Sequence, residues 1–193
     1  LQCYESRAAS GPYQANAAAA GQRALRNCCL GYLGELGSSD SRSLAMRQFE
    51  SADNMTDQFA ALATLAQDDC EERERALASF YQRWQGEALV VDKWLSVQAA
   101  SRLPGTLRVV KRLLDHPAFD LRNPNKVYAL LNTFGNNHVR FHAAETIIDQ
   151  AKKNPDKKLT PQQDALREEF AKGLAAHGEM YVTMRSGPAT AST

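Results

Sequence analysis

The sequence predicts an all-α chain, about eight or nine helices of roughly 10 to 20 residues stacked as antiparallel pairs, and three observations predict it. Apolar residues recur at three- and four-residue steps through one segment after another. Capping residues open these segments, and Gly or Pro closes them. No stretch keeps the strict alternation of a half-buried strand. Short connections make sequential neighbours antiparallel, and such pairs build either a bundle or a curved array of helical hairpins.

Residues 1–15 mix Ser, Gly, Pro and Tyr and read as an irregular lead-in to a single helical domain over 16–178. From Asn16 to Leu36 the stripe is Leu25, Cys28, Cys29, Tyr32, Leu33 and Leu36, with Asn16 as cap and Gly37 as stop. A turn at 37–40 leads into a helix with Leu44, Ala45 and Phe49. The clearest helix follows: Asp53 or Asn54 caps it, Asp57 loads its first turn with negative charge, and Phe59, Leu62, Ala63 and Ala66 share a face built to be buried.

Asp68 or Asp69 then starts a helix with Leu77, Phe80, Tyr81 and Trp84 on its apolar side and a stop at Gly86, its charged run Glu71–Arg75 reading as a solvated face. Residues 87–100 carry Leu89, Val90, Trp94, Val97 and Ala100. The tryptophans, at helical spacing, belong to the core. Leu107, Val110, Leu113 and Leu114 form the next stripe, ended by His116-Pro117. Asn123 and Pro124 open a helix through Val127, Leu130, Leu131 and Phe134 to Gly135. A short helix at 147–151, a capped one from Thr160 to Leu174 and a mobile tail at 179–193 complete the expectation.

Among 193 residues, 23 Lys and Arg stand against 22 Asp and Glu, so no field of one sign invites a nucleic acid or an anionic membrane. A hydrophobic share of 44% supplies a sizeable core, yet no apolar run approaches the roughly 20 residues of a membrane span. Cys3, Cys28, Cys29 and Cys70 lack paired metal spacing. They read as reduced thiols, which places the chain in an intracellular, reducing compartment, the cytoplasm or an organelle such as the mitochondrion.

Several ordered motifs carry a resemblance. Asp53-Asn54-Met55-Thr56-Asp57-Gln58-Phe59-Ala60-Ala61-Leu62 is similar to a segment in the C-terminal helical domain of the alanyl aminopeptidases (aminopeptidase N), in the gluzincin class of zinc peptidases. Ala20-Gly21-Gln22-Arg23-Ala24-Leu25-Arg26-Asn27, Val91-Asp92-Lys93-Trp94, Asn123-Pro124-Asn125-Lys126 and Phe141-His142-Ala143 resemble the same domain in the same order, over about residues 13–143. The resemblance implies a superhelical, HEAT-like α-solenoid. It also implies that zinc belongs to a catalytic domain that this chain does not carry, so no cofactor is expected here.

The one constellation with metal spacing is His138-Val139-Arg140-Phe141-His142. A zinc helix of the His-Glu-x-x-His kind needs Glu where Val139 stands, so both histidines are read as structural. No phosphate loop, nucleophile elbow or Cys-His pair is present, and no catalytic residue is nominated. By resemblance, Asn123, Asn125, Lys126 and Tyr128 are the substrate-channel-like residues. Lys126 and Tyr128 stand where the family usually has two arginines, which removes both planar forks and one charge. The preferred expectation is a non-catalytic helical interaction or scaffolding module, a subunit of a larger assembly, contacting a protein partner through Leu30 and Leu33 of the first long helix. The alternative is a fragment of an active zinc-dependent alanyl aminopeptidase.

Overall fold

Helix after helix packs its apolar stripe on the one before, and the computed structural model describes this for residues 1–8, 11 and 13–143. The helices expected at 147–151 and 160–174, and the tail from 179, lie outside the described residues. The order is α1 (Gln2–Glu5), α2 (Ala17–Gly34), α3 (Ser39–Ser51), α4 (Met55–Leu65), α5 (Glu71–Trp84), α6 (Ala88–Ala99), α7 (Thr106–Leu114) and α8 (Pro124–Val127). A π-helical turn, Tyr128–Asn132, carries α8 into α9 (Thr133–Asn136), and residues 138–143 are again helical. Among the described residues there is no strand, and the array is all-helical as predicted.

Local chemistry sets the starts. The side-chain oxygens of Asn16, Asn54 and Asn123 each accept a backbone N–H from the first turn of α2, α4 and α8, satisfying donors the helix itself leaves free. Ser38 and Ser41 cap α3 reciprocally. Gly37, at φ +58°, turns the chain between α2 and α3 through a region that side chains disfavour.

One core runs through the array. Phe80 of α5 is its centre, with the rings of Phe49, Phe59 and Trp84 at 6.4, 6.2 and 6.5 Å. Leu62 and Leu65 of α4, Leu95 of α6 and Leu130 of the π turn are all sealed within it. Trp94 is buried and its indole N–H donates to the Leu77 carbonyl at 3.0 Å, fixing α6 on α5.

Four expectations need correction. The lead-in is not wholly irregular: Tyr4 of α1 is buried, its hydroxyl donating to Gln48 at 2.9 Å beneath the Arg26 guanidinium. In α2 the buried residue is Leu30, whereas Leu25, Cys28 and Tyr32, and Leu36 just past its end, face outward; the helix is apolar on two sides. Leu30 therefore cannot meet a partner, because it is 0% exposed against the chain's own helices, while Leu33 packs half-buried on the same core. Finally, α5 starts after Cys70 rather than an aspartate, and Arg73 within its charged run is buried beside Glu74.

Candidate functional site

The segment Asn123–Tyr128 lies across α6. Asn123 Oδ1 accepts the Asn125 N–H at 3.0 Å, and Pro124 takes a first-turn position where no N–H is missed. This start points Lys126 inward. Its Nζ lies 2.7 Å from Asp92 Oδ1 and donates to the Ala88 carbonyl at 3.1 Å, with side-chain exposures of 10% for Lys126 and 17% for Asp92. No regular hydrogen bond reaches that Asp92 oxygen, so the attraction is mainly one of charge. The cation is spent on joining α8 to α6 and is not offered to a ligand. Asn125 and Tyr128 are exposed, so of the four channel-like residues the structure leaves Asn123, Asn125 and Tyr128 on the surface and takes Lys126 inside.

The π turn follows at once. Its widened register is tied from outside: Ser96 donates to the Ala129 carbonyl at 3.0 Å and Thr133 to the Tyr128 carbonyl at 3.3 Å. Asn137 donates to the carbonyls of Ala99 and Ser101 at 3.1 and 2.8 Å, closing the end of α6. Beside this junction lies an open cleft of about 510 Å³, lined by Ala100, Arg102, Thr133, Asn136, His138 and Val139 among others. The rings of His138 and His142 lie nearly parallel, 5.8 Å apart and with 10° between their planes. Among the described residues no group of three or more His, Cys, Asp or Glu is placed to hold a metal. His138 and His142, with Val139 after the first, lack the glutamate that a His-Glu-x-x-His zinc helix carries.

A second polar centre was missed by sequence reasoning. Asp57, buried in the first turn of α4, accepts from Asn27 of α2 at 2.8 Å and from Asn54 at 3.0 Å. Gln48 of α3 donates to Asn27 Oδ1 at 2.8 Å and to the Asp57 carbonyl at 3.0 Å, and accepts from Tyr4. Every member finds partners, which is the condition for burying such a network without loss. Above it a polar groove of about 350 Å³ is lined by Arg7, Tyr13, Arg23, Arg26 and Asp53, among others. Arg23 and Arg26 lie over the rings of Tyr13 and Tyr4 at 4.7 and 4.6 Å.

The two centres share a logic. Asn27 and Asp57 come from two of the motifs that carried the resemblance, and Asp92 and Lys126 from two more. In space these motifs meet in pairs as polar pins between helices: α2 to α4, and α6 to α8. The signal that could have found the first pin is the pair of polar side chains, Asn27 and Asp57, placed within apolar helices.

Comparison with known proteins identifies the family. A family profile described as a domain of unknown function (DUF3458_C) with ARM repeats matches residues 1–147. Aminopeptidase N of Caulobacter vibrioides is 40% identical over 134 residues, 69% of this chain and 16% of that protein. Aminopeptidase N of Escherichia coli is 40% identical over 129 residues, 64% of this chain and 14% of that protein. Among solved structures, Legionella pneumophila aminopeptidase A in complex with aspartic acid superposes with a TM-score of 0.65 at 33% identity, covering 86% of this chain and 21% of that one. The chain thus spans about a sixth or a seventh of the length of these curated relatives. Carried by a profile that covers three-quarters of its length and by pins that join the shared motifs, the chain belongs to the ARM-repeat family DUF3458_C, the C-terminal helical domain of aminopeptidase N proteins.

Proposed function

We propose that the chain acts as the non-catalytic helical domain of a zinc-dependent aminopeptidase, forming a wall of the enzyme while another part of the protein supplies the chemistry. The observation that carries this reading is the match, at 33–40% identity, of nearly the whole described array to aminopeptidases that are far longer. The inward Lys126 supports it too, since the residue nominated for substrate contact is used to hold helices together.

The free-standing scaffold expected from the sequence rested on Leu30 as its contact, and with Leu30 inside the core that support is gone. The test is a chimera in which this chain replaces the matched segment of Caulobacter vibrioides aminopeptidase N. The chimera should release product from a chromogenic alanyl substrate in a zinc-dependent manner, and the isolated chain should release none. A folded but inactive chimera, or chelator-sensitive activity in the isolated chain, overturns the proposal.

A further inference from the structure

Helix α2 is apolar on its outer side as well as on its inner one. At about 100° per residue, Leu25, Cys28 and Tyr32 fall on one line along its outer side, opposite Leu30, and Leu36 follows in the turn just past its end. Tyr32 is 77% exposed, Leu36 71% and Leu25 42%, and Cys28 is open as well. The helix has two charged residues, Arg23 and Arg26, and both lie over tyrosine rings on the inner side. Its polar Asn27 is likewise turned inward to Asp57. A solvent-facing helix ordinarily shows the reverse pattern, and a contiguous apolar strip of this kind marks a contact surface.

We propose that this outer face of α2 seats a helix of a neighbouring repeat, contributed by the rest of an aminopeptidase N-type chain. The proposal rests on the reading just given and names the part of the enzyme that meets this domain. Two observations select the occupant. ARM-type arrays bury their cores by stacking repeat on repeat, and an end that meets water needs a polar cap, which α2 does not provide. The relatives extend to six or seven times the matched length, so further chain is available to cover the strip. An apolar helix fits because Leu25, Cys28 and Tyr32 carry no charge, the Glu35–Arg102 ion pair lies only at the far end of the strip, and small residues such as Gly21 and Ala24 beside it allow close approach.

Cys28 lies in the strip and reports on it. With Cys3→Ser and Cys29→Ser in place, alkylation of Cys28 by iodoacetamide is followed by mass spectrometry in the isolated chain and in the chimera. The chimera should react at least about tenfold more slowly. Tyr32→Lys should lower the melting temperature of the chimera by about 5 °C and leave that of the isolated chain unchanged. Should the chimera be insoluble, the isolated chain is mixed instead with Caulobacter aminopeptidase N lacking its matched segment, and Cys28 is read in the same way.

Equal reactivity of Cys28 in every arm overturns the proposal. So does protection that appears on concentrating the isolated chain, since the occupant is then a second copy. An active chimera with reactive Cys28 sinks this inference and leaves the functional reading standing, whereas an inactive folded chimera with protected Cys28 does the opposite.

Discussion

At Lys126 a single ammonium holds two elements together. Removing it leaves the Asp92 carboxylate at 17% exposure without its countercharge, and breaking a largely buried pair from one side costs about 3 kcal/mol. Lys126→Met should therefore lower stability by that order in urea denaturation, and the double variant Lys126→Met, Asp92→Leu should recover most of it. Full loss in the double variant would mean that the pair contributes net attraction. His116 makes a second residue-scale case. Its ring lies 4.9 Å from Tyr81 and 5.2 Å from Trp94, and its Nδ1 accepts the Ala118 N–H at 3.1 Å. Burial first, and then the Arg112 cation, hold its pKa below the ordinary 6.5. The unfolded chain therefore takes the proton first. The contribution of His116 is complete above about pH 6.5 and is lost as pH falls below that and through the folded value. His116→Phe should flatten the acid side of a stability profile between about pH 7 and pH 5; an unchanged slope would assign the acid loss to other groups.

At the scale of the element, the crossing of α2 over α4 depends on Gly34. A Cβ added there would run into Thr64 Cγ2, and Thr64 is held by its hydroxyl bond to the Ala60 carbonyl at 3.0 Å. Gly34→Ala should cost about 1 to 3 kcal/mol by overpacking, and Thr64→Ser, which deletes that methyl, should restore much of it. Leu62, fully buried on the same helix, is intolerant in another way. Leu62→Asp strands a carboxylate in the core, a penalty of several kcal/mol against a total stability of about 5 to 15. A near-unchanged melt would contradict the core as described. Helix α4 was legible in the sequence because cap, period and composition agree from Asn54 to Ala66. Helix α2 was misread because both of its sides are apolar, and periodicity alone followed Leu25, Cys28 and Tyr32 rather than Leu30. The Asn27–Asp57 pin escaped because its partners are 30 residues apart, beyond any local pattern. The π turn inside the helix opened by Asn123 was equally hidden, since its register is tied by Ser96 from α6.

At the scale of the whole molecule, hydrogen bonds from several helix ends converge on Ser101, which is fully buried after α6. Its hydroxyl donates to the Ala66 carbonyl at the end of α4 at 2.7 Å, and its own carbonyl accepts from Thr106 at 2.9 Å and Asn137 at 2.8 Å. Four helices thus share one residue. Ser101→Ala should cost about 1 to 3 kcal/mol and should also weaken coupling, so that amides of α6 to α9 exchange faster than those of α2 to α5. Uniform acceleration would show that the halves unfold as one unit regardless. The pins described above have a different kind of consequence, one for genome surveys. A sequence that keeps Asn27 with Asp57 and Asp92 with Lys126 advertises an intact stack of helices. The pins say nothing of chemistry carried elsewhere, so a search keyed to this stretch counts helical stacks, whatever reaction, if any, accompanies them.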